Sequence, residues 1–158
     1  MKTGRENRVA SFVKATFDRV KGKPPRALNV LIVDDEAQVC QFVERVVQRA
    51  GHATMTAGSG AEALAAAASV DSIDLLITDL MMPQMNGDEL ARRMLALRPK
   101  LKVLYLTGFS EQLFKDKVAL WQDEAFLEKP CSVRGLMEAV SLLLFGRVKS
   151  PQPARSQA

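Results

Sequence analysis

The sequence predicts an α/β fold: five parallel strands in one sheet, with five helices covering both faces. Three observations carry that reading. Val30-Leu31-Ile32-Val33, Leu75-Leu76-Ile77 and Val103-Leu104-Tyr105-Leu106 are apolar without interruption, as strands buried on both faces are. Between such runs lie segments with apolar residues at i, i+3, i+4 and i+7, the period of a helix with one buried face. Gly, Pro, Asn or Ser marks most of the junctions. Strand and helix alternating along the chain is the pattern of βαβ units.

The elements follow in order. Val9, Phe12, Val13, Phe17 and Val20 are spaced as in a helix over residues 5–21, with Arg8, Lys14, Arg19 and Lys21 between them. That is a basic amphipathic helix, and Lys23-Pro24-Pro25 closes it as a short stiff linker. It is expected to be a tail or a helix folded back on the domain; the sharper expectation is a contact for a partner, a second copy or an anionic membrane surface. Val30–Val33 is the first strand and ends in Asp34-Asp35-Glu36. Val39, Phe42, Val43, Val46 and Val47 form the stripe of the next helix, closed by Gly51. His52 reads as a surface residue. Ala53–Ala57 is a short second strand. Ser59 and Glu62 form a capping box ahead of an alanine-rich helix to Ala68.

The third strand runs into Thr78-Asp79 and the turn Met82-Pro83-Gln84-Met85-Asn86-Gly87. A helix from about Asp88 to Leu97 is expected to bury Leu90, Met94 and Leu97, and Pro99 ends it. The fourth strand ends in Thr107-Gly108. Residues 111–121 read as a helix with Phe114, Val118 and Trp121 on one side. Ala125-Phe126-Leu127 is a short fifth strand before Glu128-Lys129-Pro130. The last helix carries Val133, Leu136, Met137, Val140 and Leu144.

The chain of 158 residues holds one domain with two appendages. Residues 1–27 carry eight basic and two acidic residues, a net of +6; residues 146–158 add +3 and, being rich in Pro, Ser and Gln, read as a disordered tail. Residues 28–145 carry a net of −5, so the overall +4 belongs to the tails and argues little for nucleic-acid binding by the domain. Two cysteines make no disulfide framework, which fits a reducing, cytoplasmic setting. No run is long enough for a membrane span.

Asp34, Asp35, Asp79, Thr107 and Lys129 all fall at strand ends in this reading. Each alone is a weak signal, since a strand-end Thr is usually a turn residue and a Lys before Pro usually a solvated loop charge. In a parallel sheet, however, ligands bind beyond the carboxyl ends of the strands. There these residues would share one pocket. Asp79 could cap a helix, bind a metal or act as a nucleophile. Capping fits poorly because Pro83 disfavours helical geometry at Met82. Carboxylates this close repel unless a cation joins them. No His or Cys stands suitably at a strand end for zinc, and an all-oxygen set suits Mg²⁺. An acid with Mg²⁺, a hydroxyl and a lysine is equipped to take a phosphoryl group as an aspartyl phosphate.

Asp34-Asp35, Asp79 to Gly87, Thr107-Gly108 and Lys129-Pro130, in that order and at about that spacing, resemble the receiver domain of two-component response regulators over residues 28–145. The resemblance implies a doubly wound, flavodoxin-like sheet of strand order 2-1-3-4-5. It implies Asp79 as phosphoacceptor, fed by a sensor histidine kinase or a phosphotransfer protein. It implies Mg²⁺ held by Asp35, Asp79 and the Met81 carbonyl, with Asp34 acting through a water. Thr107 would bond the phosphoryl group and Lys129 would pair with it. Phe126 matches the family's aromatic switch, though without a hydroxyl it must work by packing. Cys131 stands where an aromatic residue often follows Lys-Pro, and residues 121–125 lack the small turn of the family.

Twelve residues follow Gly146, too few for a DNA-binding domain, so output by protein contact is expected, with a homodimer among the arrangements. One alternative is a receiver segment of a larger hybrid histidine kinase. Another, of a different class, is a phosphoaspartyl hydrolase or phosphotransferase. That class usually carries Asp-x-Asp on its first strand, where this chain has Asp34-Asp35-Glu36.

Overall fold

A computed structural model describes residues 26–108 and 123–146. The helices expected over residues 5–21 and 111–121, and the tail beyond Gly146, lie outside the described residues. Within them the chain runs β1 (Asn29–Val33), α1 (Ala37–Arg49), β2 (Ala53–Ala57), α2 (Gly60–Ala68), β3 (Leu75–Thr78), α3 (Gly87–Leu97), β4 (Lys102–Thr107), β5 (Glu124–Glu128) and α4 (Val133–Phe145). Five strands and four of the five helices expected to cover the sheet are therefore in view.

The strands form one parallel sheet in the order β2-β1-β3-β4-β5. Side chains alternate across it. Val30, Ile32, Leu75, Ile77, Leu104 and Leu106 face α1 and α4, packing on Val43, Val47, Leu136 and Val140. Leu31, Val33, Leu76, Val103 and Tyr105 face α2 and α3, packing on Ala63, Leu90 and Met94. Both faces are covered, which is why β1 after its exposed first residue Asn29, and β3 before its last residue Thr78, carry only apolar side chains.

The junctions follow local chemistry. Asn86 Oδ1 accepts from the Glu89 amide at 2.8 Å and Ser132 Oγ from the Gly135 amide at 3.0 Å, capping α3 and α4. Gly51 (φ 88°) and Gly146 (φ 65°) take left-handed conformations after α1 and α4, where a Cβ would be strained. The capping box at α2 is modified. Ser59 Oγ accepts from the Glu62 amide at 3.2 Å, but the Glu62 carboxylate reaches the Gly58 amide, at 2.8 Å, one residue before the cap.

Three expectations need correction. Leu97 is 78% exposed, because α3 ends at Arg98 and the chain turns so that Leu101, not Leu97, closes the core. In α4 the last buried position is Leu143, and Leu144 packs at the margin. His52 is buried, not on the surface. Its Nδ1 accepts from the Leu28 amide at 3.2 Å and its ring stacks on Phe145 at 6.3 Å. No helix among the described residues is long and apolar enough to cross a membrane.

Candidate functional site

The sheet delivers its polar residues to one edge. β1, β3, β4 and β5 all run the same way, so the residues that follow each strand emerge together. Backbone hydrogen bonds continue one step past the strands and hold those residues in place. The Asp34 amide donates to Ala57 O at 3.2 Å, the Asp79 amide to Val33 O at 3.0 Å, and the Lys129 amide to Thr107 O at 3.0 Å.

The resulting pocket brings Asp34, Asp35, Asp79 and Lys129 together. One carboxylate oxygen from each of the three aspartates lies within 4.8 Å of the others. Asp34 and Asp79 are buried and Asp35 faces solvent. Lys129 Nζ sits 2.6 Å from Asp34 Oδ2 and 3.3 Å from Asp79 Oδ2. Asp34 Oδ1 accepts from the Glu36 amide at 2.9 Å, and Asp79 Oδ1 from the Met81 amide at 3.4 Å. The Met81 side chain is half exposed beside the acid. Thr107 is fully buried at the end of β4. Phe126 lies opposite Tyr105 in β5 and packs, half-buried, on the α2/α3 side of the core.

Burial and charge shift two groups of the site. Burial pushes the Asp34 carboxyl above its ordinary range, and the Lys129 hydrogen bond, the Glu36 amide and the Lys129 charge only partly offset that. Burial pulls the Lys129 ammonium down, but the Asp34 hydrogen bond and the Asp79 and Asp34 charges outweigh it and hold it above its usual value. Asp34 and Lys129 therefore shift upward together, although an isolated ion pair would lower its acid. Burial is the main reason for the Asp34 shift, with the Asp79 charge adding a smaller push, while one ammonium is shared by two buried carboxylates and a third stands at the rim. Such a set has room for a further cation. Its donors are hard oxygens, the ligand type that Mg²⁺ takes.

Some contributors carry no motif. Cys40 Sγ donates to Asp34 O at 3.4 Å, and the Thr78 hydroxyl donates to Asp79 O at 2.9 Å. The only sequence signal for Thr78 is a hydroxyl at the last position of an apolar run.

Comparison with known proteins agrees with this geometry. Residues 30–141 match the response regulator receiver domain family. The response regulator receiver protein CpdR of Brucella abortus is 30% identical over 115 residues, covering 73% of this chain and 95% of CpdR. The sensor kinase CckA of the same organism is 31% identical over 116 residues, again 73% of this chain but 12% of the kinase. The crystal structure of the response regulator TrrA of Thermotoga maritima in complex with Mg²⁺-BeF superposes with a TM-score of 0.64 at 30% identity, over 74% of this chain and 99% of that one. The chain belongs to the response regulator receiver domain family. It is a phosphoacceptor domain of two-component signalling, a regulatory element rather than a classical enzyme, and its acidic pocket is of the kind that binds Mg²⁺ in such domains. A receiver domain implies a histidine kinase as partner.

Proposed function

We propose that Asp79 is the residue that takes the phosphoryl group, from the phosphohistidine of a sensor kinase or phosphotransfer protein. The observation that carries this is the placement of Lys129 Nζ 3.3 Å from Asp79 Oδ2 while it also holds Asp34. An Asp79 oxygen attacks phosphorus, the bond from phosphorus to the histidine nitrogen breaks, and the nitrogen lone pair returns to the imidazole. Asp35, Asp79 and the Met81 carbonyl would hold Mg²⁺, with Asp34 acting through a water, and the ion would supply positive charge for the phosphoryl oxygens. Lys129 stabilises the same charge and stays paired with the product. The Thr107 hydroxyl turns in to bond a phosphoryl oxygen, and Phe126 follows into the space left. These contacts exist only in the phosphorylated form, so they bias the equilibrium toward it.

The match to the receiver protein CpdR favours a receiver that signals through a protein partner. The match to 12% of CckA favours a second reading, the receiver segment of a hybrid kinase. Acetyl phosphate with Mg²⁺ should add one phosphoryl group. Asp79→Asn should abolish the labelling and EDTA should suppress it. Equal labelling of the Asp79→Asn protein would sink the assignment.

A further inference from the structure

We infer that Thr78 and Gly87 are positioning residues that clamp the main chain of Asp79 and so set the placement of its carboxylate. The inference rests on Asp79 being the phosphoacceptor. The ladder of β3 ends at Thr78, which pairs with Val33 on one side and Tyr105 on the other. Asp79 is one residue past that support. Its amide still donates to Val33 O, while its carbonyl accepts from the Thr78 hydroxyl at 2.9 Å. Thr78 is fully buried, so this bond is sheltered from competing water.

Gly87 closes the clamp from the opposite direction. It is the first residue of α3, and its amide donates to Leu80 O at 2.8 Å. A Cβ there would stand 2.0 Å from Asp79 O, 2.9 Å from the carbonyl carbon and 3.1 Å from Leu80 Cα. Only a hydrogen fits, and the atoms in the way are backbone, which cannot swing aside. The helix start therefore lies directly on the Asp79–Leu80 peptide. An aspartate carboxylate is only two bonds from its Cα, so a shift of that peptide passes almost undiminished to the attacking oxygen. Displacements of about 1 Å can cost about a hundredfold in rate.

The test measures acetyl phosphate labelling of the full chain with Mg²⁺, with folding checked by circular dichroism. Thr78→Val keeps the side-chain shape and removes the donor; its maximal labelling rate should fall about fivefold or more, with less change in the half-saturating acetyl phosphate concentration. Thr78→Ser restores the donor and should return the rate to within about twofold. Gly87→Ala, if folded, should lose about tenfold or more. A general stability defect would lower the unfolding temperature without changing the rate per folded molecule. Parent labelling that Asp79→Asn abolishes secures the reading on which the inference rests; failure there overturns both. With that in hand, a parental rate in Thr78→Val, or a folded Thr78→Ser as slow as Thr78→Val, overturns the clamp alone.

Discussion

The two edges of the sheet handle polar groups in opposite ways. At the amino edge each one is matched locally. Asp74 Oδ2 accepts from the Asn29 amide at 2.9 Å, its Oδ1 faces Arg26 at 3.3 Å, its amide donates to Asn29 O, and its carbonyl accepts from Lys102. Asn29 Nδ2 donates to Ser72 Oγ, Lys102 pairs with Asp123, and His52 holds the Leu28 amide. At the carboxyl edge three carboxylates cluster around one ammonium that pairs with two of them, and Asp34 is buried with its carboxyl pushed upward. The amino edge closes the fold. The carboxyl edge leaves negative charge over, which a cation and a phosphoryl group can complete. Charge left unbalanced in a buried cluster, rather than polarity as such, is what separates a site from a structural network.

The largest expected effect breaks the carboxyl edge. Lys129→Met removes the ammonium paired with Asp34 and Asp79, and if Lys129 stabilises the transferring group as proposed, labelling should fall about a hundredfold or more. The same change should strengthen Mg²⁺ binding, because the ammonium no longer competes for Asp34 and Asp79. Two readouts moving in opposite directions make the result specific. Calorimetric titration showing weaker Mg²⁺ binding in the variant would mean that Lys129 organises the carboxylates instead of competing for them.

Asp74→Ala tests the amino edge. It removes the acceptor of the Asn29 amide at the exposed start of β1 and should cost about 0.5–1.5 kcal/mol in urea unfolding. The pair with Arg26 adds little, since Arg26 is well exposed. Labelling of the folded fraction should be unchanged. A slowed rate per folded molecule would show that the edges are coupled and that the contrast drawn above is too sharp.

Much of this contrast was legible in the residues themselves. Strands buried on both faces leave no choice but continuous apolar runs, so β1, β3 and β4 stand out. The first charge after β1 and after β3 then marks the carboxyl edge, as Asp34 and Asp79 do, whereas Lys129 follows β5 only after Glu128. What periodicity could not reveal is where a stripe stops being covered. Leu97 continues the spacing of Leu90 and Met94 but lies past the last turn that packs on the sheet. Nor could it reveal side chains that serve distant backbone. Arg98 donates to Ala67 O, Val70 O and Asp71 O, holding the end of α2 from across 27 residues or more. Thr78 looked like the polar end of a strand, and its partner is the next residue's carbonyl. His52, following a helix-ending glycine, had every local sign of a surface position. The fold buries it because Phe145, 93 residues later, lies against its ring.

His52 also supplies the smallest effect, and one confined to the amino edge. Burial holds its imidazole below the ordinary value of 6.5, with the Asp74 charge opposing only in part. Its Nδ1 must stay unprotonated to accept from the Leu28 amide. The sign follows from linkage. Above the unfolded value both states are neutral and the contribution of His52 is intact. As pH falls through about 6.5, the unfolded chain takes a proton first and stability is lost, until pH reaches the lower folded value and the loss levels off. One proton limits the change to about tenfold in the folding constant per unit of pH. Asp34 acts in the opposite sense, because its raised carboxyl binds a proton more readily in the folded state. The comparison must therefore be with His52→Asn, whose amide oxygen can stand near the Nδ1 position and does not titrate. It should be less stable than the parent near pH 7, having lost the stacking on Phe145, yet decline less between about pH 7 and about pH 5. Labelling of Asp79 should not follow this titration, since His52 belongs to the opposite edge. Urea midpoints that fall in parallel for parent and variant would show that the acid sensitivity lies elsewhere.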